Sequence, residues 1–529
     1  MGLLGRLLGA GRSSAPPAPG HREPVELDGP AILGTALVPL NGAAGLEYLT
    51  VSDLCTGCAV FGATGSGKTS GSGQQIALAL LAAGFGGLVL SAKTEERALW
   101  ERLARMTGRT DDLLFFSPSE AASGGGWRFN FLDYEWRRPG AGGGRVENIV
   151  RLFTLGMETM GAGEQKASGN NAYWQRAMQE LLRNAVALVG MGTGHVSLAD
   201  INRLIATAPR SQAQVDAEVA NPTGFCFELL SEARKRYASD PAKLADCKKV
   251  TEYWFGQWPH IPPETRGNIL STFTSATDAF GFSPFRELFC TSTNIAPEVA
   301  EYGKILFLDL NLKEHGKTGQ FAQVLFKTCF QNAMERRDLG KSPMPVFLWG
   351  DEAPYFLNSE DESVLRTARS KRLITVFLMQ NLTTLFEALG GHSGRDKAFS
   401  ILANLGTKVF HANTCTESNK FAAELIGQSV HMMASFSNGT SGGENWGSSS
   451  SRDVQTGGGS VGHNSGTSTG WNESKSAAEQ VQFDVQPKEF SLLRTGGPEN
   501  GLCVDAIVTR TGHIWNNGRN YLPVTFRQH

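Results

Sequence analysis

The string Gly62-Ala63-Thr64-Gly65-Ser66-Gly67-Lys68-Thr69 constrains this chain more than any other. It completes the pattern G-x-x-x-x-G-K-[ST] directly after the apolar run Ala59-Val60-Phe61 and ahead of a helical stretch. Glycines suit such a loop because bare backbone N–H groups must wrap phosphate oxygens, often at dihedrals closed to other residues. Lys68 is expected to neutralise the β- and γ-phosphates of a nucleotide and Thr69 to ligate Mg²⁺, with Ser70 completing the phosphate-binding stretch. Gly316-Lys317-Thr318 repeats the last three letters, but Asn311 stands where the first glycine belongs and no apolar strand leads into it.

A phosphate loop of this kind belongs to an α/β core, and the surrounding pattern agrees. Short apolar runs (Ala59 to Phe61, Gly87 to Leu90, Leu113 to Phe116) alternate with helical segments, as in the strand-helix-strand units of a parallel sheet. Ile76 to Leu90 is fifteen apolar or Gly residues broken by Gly84-Phe85-Gly86-Gly87, which predicts helix, turn and buried strand rather than a membrane span. From Gly140 the period becomes helical, with Trp174, Met178, Leu181, Leu182, Ala185, Leu188 and Val189 on one apolar face. Strand signals return at Lys304 to Leu310, Val346 to Trp349, Leu373 to Met379 and Thr407 to His411. The expected fold is therefore an α/β, mostly parallel P-loop NTPase core with an inserted all-α domain. Its divisions are a mobile lead-in over 1–45, core over 46–139, all-α insertion over 140–298 and core over 299–434. A Ser/Gly-rich loop or hairpin over 435–476 and closing strands over 477–529 complete it. The Ser/Gly tract holds 12 Ser and 10 Gly, which points to a flexible loop, and Trp446 and Trp471 keep an ordered hairpin lining a pore as the alternative.

The 529 residues exceed a one-domain allowance of ~150. Lys+Arg of 49 against Asp+Glu of 51 gives no basic coat, so any DNA contact must be local, such as a loop in a pore. Nothing directs export, and eight scattered cysteines imply reduced thiols in a cytoplasm. Cys55-Thr56-Gly57-Cys58 lacks a second pair or a His cluster, so a strand-turn role is expected for it rather than metal or redox chemistry.

A phosphate loop needs acids at the end of a neighbouring strand. Val346-Phe347-Leu348-Trp349-Gly350-Asp351-Glu352 supplies them: Asp351 to hold Mg²⁺ through water, Glu352 to orient and polarise the attacking water. Asp309 ends another apolar strand but lacks the following Glu. Gln380, at the end of Leu373 to Met379, is placed to sense a γ-phosphate. Arg366, Arg369 and Arg372 precede that strand as candidate arginine fingers, with Arg369 favoured.

Several segments in the same order resemble the coupling ATPases of type IV secretion and conjugation, the TraG/TraD group within the HerA/FtsK-like P-loop proteins. They are Ala59 to Thr69, Leu88 to Glu95, Arg128-Phe129-Asn130-Phe131-Leu132, Tyr173-Trp174 with Ala177, and Glu264 to Thr272. Asp351-Glu352, Ala368-Arg369-Ser370, Gln380 and Ile401-Leu402-Ala403-Asn404 follow. The resemblance spans residues 55 to 430 and implies a RecA-like domain with an all-α domain at one mouth. It also implies a hexameric ring that hydrolyses ATP with Mg²⁺ to move DNA or hand substrates to a secretion channel, with relaxosome-type proteins as partners. It supports Gln380 as a γ-phosphate sensor. Family members usually begin with transmembrane helices, which this sequence does not show, so a cytoplasmic protein docked at the inner membrane through a partner is expected. Ser91 replaces the family's usual Asp and Phe131 its frequent Pro. A nucleotide-switched receptor for protein cargo and a DNA pump in genome defence or mobile-element maintenance are the alternatives.

Overall fold

The computed structural model describes residues 29–42, 45–161, 169–390, 394–452 and 459–528. Its strands are β1 (Ala36–Gly42), β2 (Gly45–Thr50), β3 (Cys58–Phe61), β4 (Gly86–Leu90), β5 (Leu113–Phe116), β6 (Ile305–Leu308), β7 (Val346–Gly350), β8 (Leu373–Met379), β9 (Thr407–Phe410), β10 (Gln428–Arg452), β11 (Gly459–Phe483), β12 (Cys503–Arg510) and β13 (Tyr521–Arg527). Eleven of them form one sheet in the order β2-β1-β13-β12-β9-β3-β8-β7-β4-β6-β5. From β9 to β5 every neighbouring pair is parallel; from β9 outward through β12, β13, β1 and β2 every pair is antiparallel.

The parallel strands read as unbroken apolar runs because helices cover them, and β3, β4, β6, β7, β8 and β9 are buried along their whole length. The helix Glu95–Met106 illustrates the packing. Its buried residues Trp100, Leu103 and Ala104 recur at the spacing of one helix face, and Trp100 stacks on Phe347 and meets Trp349 of β7 edge-on.

Between β5 and β6 the described residues contain helices and no strand. Asn130 stitches the two ends of this stretch together. Its side-chain oxygen caps the helix Phe131–Arg137 by accepting from Leu132 N and Asp133 N, while its amide donates to Val196 and Thr291 carbonyls. Four hydrogen bonds to one buried amide explain why Asn is needed there.

Two expectations shift. Of the lead-in over 1–45, residues 1–28 and 43–44 lie outside the described residues, but Gly29–Gly34 forms a 3₁₀ turn and β1 pairs with β2 and β13, second from the sheet's edge. Val38 and Leu40 are buried there although Pro39 sits between them; β1 lies between the edge strand β2 and β13, and its register with β13 is at Gly42↔Val524, away from Pro39. Of the Ser/Gly-rich tract, residues 453–458 lie outside the described residues, and the rest lies within an antiparallel ribbon of β10 and β11, registered from Gln428↔Phe483 to Arg452↔Gly459. That ribbon belongs to a separate compact unit, Asn419–Glu489.

Candidate functional site

The phosphate loop leaves the end of β3 between the ends of β8 and β9. Gly62 N donates to Met379 O at 3.2 Å and Ala63 N to Ala412 O at 2.9 Å, anchoring its first residues to both neighbours. Gly65 and Gly67 take φ of 77° and 82°, where a side chain would be strained. A Cβ on Gly67 would also lie 2.6 Å from Val504 Cγ2, whereas one on Gly65 would meet nothing within 4 Å. The loop is thus packed on one side and open at its tip. Ser66 is buried there with its hydroxyl unpartnered. Thr69–Gly73 makes a π-helical turn that runs into the helix Gln74–Ala82.

One strand, β8, separates β3 from β7. That spacing brings the acids at the end of β7 over the loop. Thr69 Oγ1 donates to Asp351 Oδ2 at 3.1 Å, across 282 residues of sequence. Lys68, 5% exposed, places Nζ 3.6 Å from Glu352 Oε1. Gln380 Nε2 donates to the same oxygen at 3.2 Å, and Lys93 Nζ does so at 2.7 Å. Glu352 adopts left-handed backbone (φ 57°, ψ 47°), an uncommon conformation for a non-Gly residue.

The electrostatics separate the two acids. Burial pushes Asp351 above the usual carboxylate range, against the pull of Lys93 and Lys68. Burial also pushes Glu352 up, but the Lys68 charge and the Lys93 hydrogen bond outweigh it, and the net shift is downward. Glu96, buried one helical turn beyond Lys93, is raised well above the ordinary value by burial and by the Asp351 charge, and its Oε1 has no partner.

Thus Gly62 to Thr69, Asp351, Glu352 and Gln380 meet in one place, and Ser70 adjoins them, its Oγ accepting from Gln528 Nε2 at 2.6 Å. Arg369 does not join them. It is exposed in the turn Arg369–Lys371 before β8, and Gln380 follows that strand's other end, about 20 Å away at strand rise. Arg366 pairs with Glu362, and Arg372 donates to Pro343 O. Asp309 is held by Arg97 at 2.6 Å and by Ser117 at 3.2 Å. Cys55 and Cys58 are free, buried thiols, each pushed up to about 12 by burial. Among the described residues no group of three or more His, Cys, Asp or Glu is placed to hold a metal ion.

Sequence reasoning missed the partners that come from far along the chain. Lys93 appeared only within a resembling segment, with no role. His411 was read as the end of a strand, yet its Nε2 lies 2.7 Å from Ser72 Oγ and its Nδ1 3.1 Å from Asp505 O. A carbonyl can only accept, so the proton sits on Nδ1 and Nε2 accepts from Ser72. Burial depresses this imidazole to about 4, which keeps it neutral.

A glycine-cradled loop on β3, acids on β7 and one strand between them define a RecA-like P-loop nucleotide-binding fold. Residues 47–458 match the family model for type IV secretory system conjugative DNA transfer, and the chain belongs to that family. Among solved structures it is similar to the bacterial conjugative coupling protein TrwBdeltaN70 in its unbound monoclinic form. The two are 13% identical with a TM-score of 0.53, covering 94% of this chain and 89% of that one. TrwB in complex with the non-hydrolysable ATP analogue ADPNP gives 14% identity, a TM-score of 0.51 and the same coverages. TrwB in complex with ADP and Mg²⁺ gives 12% and 0.50, covering 91% of this chain and 87% of that one. At these identities the likeness is one of fold. No curated protein sequence matches the chain. No helix among the described residues is long and apolar enough to cross a membrane.

Proposed function

We propose that this protein is an ATP-hydrolysing coupling motor that assembles as a hexameric ring and moves DNA, or delivers DNA and protein, to a type IV secretion machinery. The observation that carries this reading is the convergence of Thr69 on Asp351 and of Lys68 and Gln380 on Glu352. The residues fit a magnesium nucleotide. Thr69 and Asp351 offer hard oxygen atoms side by side, as Mg²⁺ prefers, and the glycine loop opens at Gly65. The complexes of TrwB with ADPNP and with ADP and Mg²⁺ support ATP and Mg²⁺ as its ligands.

Bound Mg²⁺ would neutralise charge on the phosphate oxygens. The backbone N–H groups of Gly62 to Thr69, with Ser70 beyond, cradle phosphates, and Lys68 adds a buried cation against the γ-phosphate. Thr69 and Asp351, the latter through water, would hold the ion. Glu352 stays ionised, so it can orient the attacking water and accept its proton, while Gln380 connects that carboxylate to the end of β8. Arg369, at the far end of β8, can serve a nucleotide only on a neighbouring copy, which is the role proposed for it in the ring. DNA is the substrate that the family description supports; docking at the inner membrane would proceed through a partner protein.

The test is steady-state ATP hydrolysis with and without single- and double-stranded DNA. Stimulation by DNA that Lys68→Ala abolishes is expected, with hexamers by mass photometry. Nucleotide binding without turnover above a Glu352→Gln control would replace the motor with a nucleotide-switched receptor.

A further inference from the structure

Three donors converge on Glu352 Oε1: Lys93 at 2.7 Å, Gln380 at 3.2 Å and Lys68 at 3.6 Å. They differ in freedom. The Lys68 side chain is 6% exposed, but that of Lys93 is 46% exposed, so only its ammonium end is committed and its stem can swing in water. The register Leu90↔Gly350 sets the turn after β4 beside Asp351 and Glu352, which is how Lys93 reaches them. Acidic groups (Asp351, Glu352 and Glu96) and two lysines (Lys68, Lys93) share the site, and burial and the Asp351 charge raise Glu96 well above the ordinary value. A triphosphate brings further negative charge to this cluster and competes for the cation that moves most easily.

We infer that Lys93 is a positioning residue that parks the Glu352 carboxylate while no γ-phosphate is present and transfers its ammonium to that phosphate when a triphosphate arrives. The proposal rests on the P-loop ATPase reading of the same site. Lys93 then plays a part that the loop lysine cannot, because Lys68 is buried and fixed. Glu352, released by one donor, stays tethered through Gln380 and free to face a water. The left-handed backbone at Glu352 is the strained point that the Lys93 bond holds in the parked state.

The test uses the full chain as wild type, Lys93→Met and Lys93→Arg. Hydrogen exchange at residues 351–356 is followed without nucleotide and with ADPNP, alongside kcat and KM. In the nucleotide-free protein Lys93→Met is expected to exchange about tenfold faster there, the loss of one charge-assisted hydrogen bond. Wild type should reach that faster rate only with ADPNP. Turnover should fall about tenfold with KM nearly unchanged, and Lys93→Arg should restore both readouts. Unchanged exchange in Lys93→Met, or a loss of turnover that Arg does not repair, overturns the role of Lys93. Failure of the wild type itself to bind ADPNP would instead overturn the ATPase reading.

Discussion

Two buried lysines stand beside carboxylates, one in the core and one at the nucleotide site, and the pairs are built differently. In the core, Lys327 Nζ lies 2.5 Å from Asp361 Oδ2 with both side chains fully buried. Gln331 Nε2 donates to Asp361 Oδ1 at 2.8 Å and Asn358 N to Oδ2 at 2.7 Å, so the carboxylate is saturated by fixed partners. At the nucleotide site Lys68 stands off at 3.6 Å, Lys93 reaches in from solvent, and the carboxylate sits on strained backbone. A closed network has no room for a ligand; an open one, with spare cations and a movable member, does. Residue types alone do not separate structure from function here, whereas distance, saturation and exposure do.

The largest effect should come from breaking the closed pair. Asp361→Ala leaves Lys327 buried without its counter-charge, and burial already pulls that ammonium below its ordinary pKa. A loss of about 3–5 kcal/mol is expected, read as a fall in denaturation midpoint. Lys327→Met combined with Asp361→Leu should recover most of it, since well-packed apolar residues replace buried ion pairs at little cost. If the single change proves silent, the contrast between the two pairs collapses.

Glu352→Gln comes next, and its signature is opposite. Turnover should drop by about 10²–10³-fold, the scale for losing a transition-state group, while the thermal midpoint hardly moves, because the Gln carbonyl can still accept from Lys93 and Gln380 and the Asp351 carboxyl remains beside Lys68. A midpoint loss comparable to that of Asp361→Ala would make the site pair structural as well.

The third effect depends on pH. His411 is neutral in the fold at about 4 and titrates near 6.5 when exposed. Above 6.5 neither state is charged; as pH falls from 6.5 towards 4 the unfolded chain takes up a proton that the native state refuses, so stability is lost. Between pH 7 and pH 5 this amounts to about 2 kcal/mol, and His411→Gln should flatten the slope of thermal midpoint against pH. Equal slopes would mean that His411 is protonated without cost.

How much of this was legible in the sequence follows from range. The loop and the Asp351-Glu352 pair are contiguous strings, each beside an apolar strand, and both could be read directly, as could the alternation of strands and helices. The strand β1 reads as part of a mobile lead-in because residues 1–45 are rich in Pro, Gly and Ala, and only its pairing with β2 and β13 shows that it joins the sheet. Lys93 meets Glu352 across 259 residues and Ser72 meets His411 across 339. Such contacts depend on strand order, which no local pattern encodes. Arg369 and Gln380 are eleven positions apart in sequence, yet the strand between them carries them to its opposite ends.

The smallest expected effect tests how far the open character of the site extends. Gln528, next to the last residue, donates from Nε2 to Ser70 Oγ at 2.6 Å and accepts from Gly497 N at 2.7 Å through Oε1. The side chain is half-buried, and water can replace both partners. Its removal should therefore cost only about 0.5–1.5 kcal/mol. Ser70, however, directly follows the Mg²⁺-ligating Thr69 of the proposed site, so loosening it should weaken nucleotide binding rather than chemistry. Gln528→Ala is expected to raise KM for ATP a few-fold at constant kcat, with a midpoint shift of a degree or two at most. A fall in kcat instead would place the chain's end among the parts that set Glu352, and the open site would then include the C-terminal strand.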